Sequence, residues 1–411
     1  MSRRNLGPAY RLLCASSAAS NLADGVLQLT LPLLVLKLTG SPSAVAGVAV
    51  ANGLPWLLFA LHAGAIVDRL DRRRVMVAVQ LVRFALVAAL AVVVGAEVEA
   101  LWVLYIVAFT LGVMETVFDT AAQSIMPSVV GPSDLTRANG RLYAIESTMN
   151  QFVGPPVGGA LVAVGMALSL GTSAACFFVA ALVLVGLPGS FHAVREDSPG
   201  TRLREEIFEG LRFLWGHAVL RRLMVVGAVS NASWSAAFAL LAALVVAPGP
   251  MGLSEFGFGV LLTVSALGSL LGSFAVERAE RIAGRRRLLL LCVSIDGAAI
   301  ALMATADLAV VAVALLVLGA GLVFWNVVVV TLRQRLIPDH LLGRVNAASR
   351  MVSWGAIPVG AAAGAALVQV IDITTVFALS GTVIMLLAFV LRGLTERELE
   401  VVEDGASRDL A

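Results

Sequence analysis

Charge is scarce in this chain. Asp, Glu, Lys and Arg make up 14% of its 411 residues, against about 25% in soluble domains. Lysine is nearly missing: of 29 basic residues only Lys37 is not arginine. Cysteine occurs three times, as Cys14, Cys176 and Cys292, far apart and inside apolar runs. That excludes a disulfide framework and a Cys/His metal spacing, and leaves them as small packing residues. No Gly-x-x-x-x-Gly-Lys-Ser loop is present, which excludes ATP hydrolysis by the usual phosphate-cradling loop. The basic loops carry no interleaved aromatics of the kind that stack on nucleic acid. The reading is therefore of a chain with no enzyme activity, no cofactor, no metal and no nucleic-acid partner.

What is abundant is apolar surface. Hydrophobic residues make up 59% of the chain and the mean hydropathy is +0.93, too much for a water-soluble core of the usual 45–50% or so. A net charge of +2 implies no acidic partner. The segment Met1 to Arg11 is short and basic. The apolar run behind it is too long for a signal-peptide core and lacks a clear cleavage site, so it is expected to remain as a first span.

A membrane helix needs about 20 mainly apolar residues. Such runs lie near 12–36, 44–66, 75–95, 101–126, 142–164, 168–187, 222–247, 256–276, 287–305, 308–330, 345–370 and 373–391. No strand alternation is sustained, so the expected class is an all-α membrane protein with twelve transmembrane helices. The arginines set its orientation. Alternate loops hold Arg3, Arg4 and Arg11; Arg69 and Arg72 to Arg74; Arg137 and Arg141; Arg195 to Arg222; Arg278 to Arg287; Arg333, Arg335 and Arg344; and Arg392 and Arg397. The other set holds no arginine, only Lys37 at an edge. This asymmetry places the basic loops and both termini in the cytoplasm.

The polar stretch from Pro188 to Arg222 divides the spans six and six. Expected domains are an N-terminal half 1–187, a central cytoplasmic loop 188–221 with an amphipathic surface helix, a C-terminal half 222–392 and a cytoplasmic tail 393–411. The halves echo one another. Gln123-Ser-Ile-Met-Pro127 matches Gln334-Arg-Leu-Ile-Pro338, Pro156-Val-Gly158 matches Pro358-Val-Gly360, and the loop Gly64 to Arg74 has a weaker echo in Gly272 to Arg287. Internal repeats around a central pathway are a transporter signature.

Ionisable groups inside spans are costly and need a partner or a cavity. They are Asp24, His62, Arg83, Glu115, Asp119, Glu146, Asp296 and Arg350. Asp24 lies about 20 Å into its helix from Arg11 at 1.5 Å per residue. A lone acid there suits proton or substrate binding, or else a structural hydrogen bond. Glu115 and Asp119, four apart, share a helix face; Glu115 is the deeper proton candidate, and Asp119 fits pairing with a basic loop. Arg83 and Asp296 each stand nine residues after an Arg triplet, at equivalent places in the halves. They pair across the repeat, or each within its own half, and Arg83 also has the option of reaching for the surface. Glu146 is expected to pair with Arg141, and Arg350 sits near the end of its span. His62 fits a hydrogen-bonded packing role. Trp234, Trp325 and Asn326 stand at mid-span as substrate contacts or packing groups. Gly154-Pro155-Pro-Val-Gly158-Gly159 marks a bent, closely packed segment of span 5.

The loop Gly64-Ala-Ile-Val-Asp68-Arg69-Leu-Asp71-Arg72-Arg73-Arg74 resembles the loop motif of the major facilitator superfamily. It departs from that motif at Asp71, where glycine is usual. Phe118-Asp119-Thr-Ala-Ala-Gln-Ser-Ile-Met-Pro127, Arg137-Ala-Asn139 and Gln334 to Val345 resemble the branch of enterobactin exporters and drug-efflux proteins. The resemblance spans nearly the whole chain. It implies two pseudo-symmetric six-helix halves, with spans 1, 4, 7 and 10 lining a central path, and a conformational latch at Gly64, Asp68, Arg69 and Arg73. Asp68 would contact the start of span 11 near Gly343 to Asn346. Gly154 to Gly159 resembles the run associated with antiporters. The membrane arginine that many drug/proton antiporters carry in span 4 is replaced here by Glu115 and Asp119. The expectation is a secondary active, proton-coupled exporter of a small amphipathic compound (a drug, siderophore or secondary metabolite). Its partners are that substrate, protons and the bilayer, and it works as a monomer in the plasma membrane. The alternatives are an importer or uniporter, or a non-transporting receptor or scaffold.

Overall fold

The computed structural model describes residues 6–96, 101–130, 135–189, 191, 203–337 and 339–394, with some side chains inside these helices left undescribed. Among them the chain is almost wholly helical. The helices are α1 (Pro8–Thr39), α2 (Pro42–Arg69), α3 (Arg72–Gly95), α4 (Leu101–Val129), α5 (Leu135–Ser147), α6 (Gly154–Val164), α7 (Met166–Val185) and α8 (Leu203–Gly216). They continue with α9 (Ala218–Phe238), α10 (Leu241–Val245), α11 (Glu255–Ala283), α12 (Arg285–Leu302), α13 (Leu308–Leu336), α14 (Asp339–Leu367) and α15 (Ile373–Arg392).

Each of the twelve expected spans coincides with one helix or a broken pair. Among the described residues, nine helices are long and apolar enough to cross a bilayer alone. The other three spans depart from a plain helix. Span 5 is α5 and α6 joined by a π-helical turn, Thr148–Val153. Span 7 is α9, which follows α8 after a bend of 106° and gives way at its far end to the short α10. Span 11 is α14, whose apolar part is Met351–Leu367. With no water in the hydrocarbon, each span must satisfy its backbone internally, and this forces helix everywhere.

Helix ends follow local chemistry. Pro8 opens α1 and Gly40 closes it in the left-handed region at φ 61°, donating to the Leu36 carbonyl. Asp71, Asp307 and Asp372 cap α3, α13 and α15 with side-chain carboxylates, each satisfying an orphan amide of the first turn.

The chain divides into two compact units, Met1–Asp197 with Leu253–Thr263, and Ser198–Gly252 with Val264–Ala411. Glycine contacts account for the exchanged segment: Gly159 faces the backbone of Glu255 and Phe256, and Gly259 faces the Pro155 carbonyl, all within the first unit. Lipid supplies no hydrophobic drive between helices, so close backbone approach holds the bundle instead. In the first unit α4 lies on α2 at Gly112 against Asn52; in the second α13 lies on α11 at Gly319 against Ser265. Likewise α6 packs on α1, and α14 on α9 through Gly360 and Gly364. The sequence echo is thus an echo of packing. In the second unit α8 buries Leu214 with Leu220, Met224, Ile337, Val345 and Ala348.

Candidate functional site

One turn after another, α1 presents Ser17, Ser20, Asn21 and Asp24 at helical spacing. Arg83 of α3 reaches this face from within the bundle, with its side chain only 1% exposed. Its Nη1 donates to Asp24 Oδ2 at 3.3 Å and to Ser20 Oγ at 3.3 Å. Its Nη2 lies 4.0 Å from Glu115 Oε2 of α4. The guanidinium carbon sits 5.0 Å from the centre of the Phe177 ring and 6.0 Å from that of Phe118, close enough for cation–π attraction to both. Within this site one permanent cation is therefore shared by two acids. Asp24 is the better held; Glu115, 35% exposed, is the more open. Arg83 Nε and both amide atoms of Gln80, one turn earlier on α3 and fully buried, have no partner among the described residues.

A second set of contacts braces α1 beside this pair. The Asn150 carbonyl, in the π turn, faces Gly25; Gly154 faces the Gly25 backbone and Gly158 the Val26 backbone. The glycine–proline run thus fixes α1 directly after Asp24. Pro155 and Gly159 belong to the same segment, both buried. Glu146 accepts from Ser17 Oγ at 3.2 Å, and Asn21 Nδ2 donates to the Ser17 carbonyl at 3.0 Å. The partner found for Glu146 is thus Ser17 of α1 rather than Arg141. Asp119, one turn beyond Glu115, is half-buried and not free.

Trp234, Trp325 and Asn326 belong to the second unit. Trp234 stacks on Phe238 at 4.4 Å between ring centres and 17° between planes. Trp325 packs toward Gly227, and Asn326 is exposed. Asn231 Nδ2 donates to the Ser353 carbonyl at 2.8 Å, tying α9 to α14. Asp296 lies in α12 against Gly321 of α13.

At the loop after α2, the side chains of Asp68 and Arg69, and Gly64, lie outside the described residues, as do Gly343, Arg344 and Asn346. Asp71 explains its departure from glycine. Leu70 and Asp71 have φ of −112° and −63°, so the turn needs no left-handed residue. Asp71 Oδ1 accepts from the Arg74 amide at 2.9 Å and Oδ2 from the Phe191 amide at 2.8 Å. Arg72 Nη1 donates to the Ser124 carbonyl at 2.8 Å and Arg73 Nη1 to the Leu187 carbonyl at 2.6 Å. Much of the loop's charge therefore ties helix ends together within its own unit.

Apolar helices in two echoing sets, with a shared ion pair buried in the first set, define a multi-pass membrane transporter of the major facilitator class rather than an enzyme. The chain belongs to the transmembrane secretion effector family of that superfamily, whose model matches residues 6–409. It is 29% identical over 377 residues to the multidrug efflux pump Tap of Mycolicibacterium fortuitum, covering 88% of this chain and 89% of that one. It is 24% identical over 406 residues to macrolide efflux protein A of Streptococcus pyogenes, covering 95% and 97%. Among solved structures, the nucleoside transporter NupG superposes with a TM-score of 0.72 at 13% identity, covering 94% of this chain and 98% of that one. A bacterial homologue of the iron transporter ferroportin, in its inward-facing state, gives 0.69 at 20%, covering 93% and 97%. At these identities the two structures show the fold alone.

Proposed function

We propose that this chain exports a small amphipathic compound of the drug type across the plasma membrane in exchange for protons. The observation that carries the reading is Arg83 held between Asp24 and Glu115. A guanidinium does not lose its proton, so the acids are what titrate. When Asp24 binds a proton, its claim on Arg83 ends and the cation is left to Glu115. When it loses that proton, the pair re-forms. The site thus has two charge arrangements that differ by one proton, and proton exchange needs such a pair of states. Support for export, and for drugs as cargo, comes from the names of the two efflux relatives.

In this reading the halves 1–187 and 222–392 alternate access about a path lined by spans 1, 4, 7 and 10, joined by the central loop 188–221 and followed by the tail 393–411. Trp234, Trp325 and Asn326 contact the substrate, and Asp119 adds negative charge beside Glu115. Gly154 to Gly159 holds α1 and α6 together through the cycle. Asp68, with Gly64, Arg69 and Arg73, latches one conformation from the cytoplasmic side, where both termini also lie. A monomer suffices.

The test is proton-driven efflux in proteoliposomes. Asp24→Asn is expected to abolish uphill export while substrate binding persists. Uphill export at the wild-type rate in that variant overturns the reading. Vesicles of fixed orientation settle direction: uptake on imposing an inward proton gradient would mark an importer. No counterflow of any offered drug would favour a receptor or scaffold.

A further inference from the structure

Asp296, like Glu146, is an acid within a span that this mechanism leaves unused, and unlike Glu146 it has no hydrogen-bond partner among the described residues. It stands 11 residues into α12 from Arg285 (296 − 285), so about 17 Å along the helix. Its Oδ1 is buried without a partner among the described residues. The carboxyl lies directly on the Cα of Gly321 in α13, where any side chain would collide with it. Among the described residues no countercharge faces it. Cys292, one turn earlier on the same helix, is its titratable neighbour. The sequence of α13 has no ionisable residue between Asp307 and Arg333, and that of α15 has none between Asp372 and Arg392. The contrast with the first unit is sharp: Arg83, at the equivalent place, has two acids.

We propose that Asp296 is a second proton-binding residue, carrying a proton as it rests against Gly321 and releasing it when α12 and α13 part to admit water. The proposal rests on export being proton-driven at Asp24. The physical reason is cost. A carboxylate whose Oδ1 is buried, with neither a cation nor a hydrogen-bond donor among the described residues, is far less favourable than the neutral acid. A purely structural residue at this depth has no need of a carboxyl, because a leucine or asparagine fills the same space without that cost. Glycine at position 321 makes the pocket close-fitting, so loss of the proton and loss of the contact go together. The step is simple in its balance: the carboxyl O–H bond breaks, the proton passes to water and the carboxylate remains hydrated. The consequence is one more proton per exported molecule than the Asp24 site moves alone.

The experiment is the proton-to-substrate ratio in proteoliposomes, measured for the wild type, Asp296→Asn and Asp24→Asn. Asp296→Asn is expected to keep export and counterflow but to lower the ratio by one proton. An unchanged ratio with intact export overturns the proposal and leaves Asp296 a packing residue. The Asp24→Asn arm is read separately: wild-type uphill export there defeats the Asp24 mechanism without altering the Asp296 ratio. Should Asp296→Asn fold poorly, infrared difference spectra of the wild type serve instead, with Asp296→Ser as the reference. A protonated-carboxyl band that vanishes on alkalinisation in the wild type and is missing from the Ser variant supports the assignment. No difference between the two overturns it.

Discussion

The Cα of Gly154 faces that of Gly25, one residue past Asp24, so tightly that a methyl group on Gly154 would lie 2.6 Å from the Gly25 Cα. Backbone cannot yield as a side-chain tip can. Gly154→Ala is therefore expected to force α6 from α1, costing about 1–3 kcal/mol in overpacking. Displacement of Asp24 should slow export by roughly 10²-fold, the effect expected of an ångström's misplacement. Gly171→Ala is the control, since a Cβ there meets nothing within 4 Å. Thermal unfolding in detergent and initial efflux rates check both.

Removing Arg83 leaves Asp24 with no cation among the described residues. Arg83→Met should destabilise the protein by about 3 kcal/mol, the lower end for breaking a buried pair, because the Asp24 side chain retains 21% exposure. Adding Asp24→Asn should restore a large part of that loss. A double-mutant cycle on thermal stability measures the coupling. Additive effects would show that the pair contributes nothing to the fold.

Asp71 serves two backbone amides, Arg74 and Phe191. Asp71→Ala should lose about 1 kcal/mol for the cap and a further ~1–3 kcal/mol for the amide left unpaired at Phe191. Asp71→Asn keeps an acceptor oxygen and should recover about half, as read by unfolding midpoints.

Asp372 caps α15 outside the membrane. Its carboxylate accepts from the hydroxyls of Thr374 and Thr375 and the Thr375 amide. The Thr374 hydroxyl leads among these in holding its pKa below the ordinary carboxylate value. The sign follows: a depressed folded-state pKa gives stability that is present above the unfolded pKa and lost as pH falls through the folded one. The wild type and Asp372→Ala should differ in unfolding temperature by a constant amount from pH 8 down to pH 5 or so, with the difference shrinking only in stronger acid. A difference that vanished by about pH 5 would contradict the hydrogen-bonded cap.

The spans were readable because hydrocarbon leaves helix as the sole local solution, and because arginine marks every second loop. Even the depth of the charged cluster was open to counting. Asp24 is 16 residues from Pro8, Arg83 is 11 from Arg72 and Glu115 is 14 from Val129, or about 17–24 Å each from the ends that share the basic side. What counting cannot supply is azimuth. Whether Arg83 turns toward α1 and α4 or toward lipid depends on which faces of α3 are packed, and those are fixed by distant helices. For the same reason Glu146 was read as a partner of nearby Arg141, when its helix face meets Ser17 instead. Asp71 looked like a defect in a motif because its second partner, the Phe191 amide, lies 120 residues away.

The π turn at Thr148–Val153 gives span 5 two registers. A π turn accommodates a residue more than the α-helix it interrupts, so α5 and α6 meet α1 in different registers at two levels: Glu146 at Ser17 below, Gly154 at Gly25 above. Length is thus a rotational setting in this span. Deleting a single residue from the turn would swing α5 by about 100° relative to α6, taking Glu146 off Ser17 while Gly154 stayed in place. Insertions and deletions, usually tolerated in loops and ruinous in spans, have here a position inside the membrane where one residue acts as a dial.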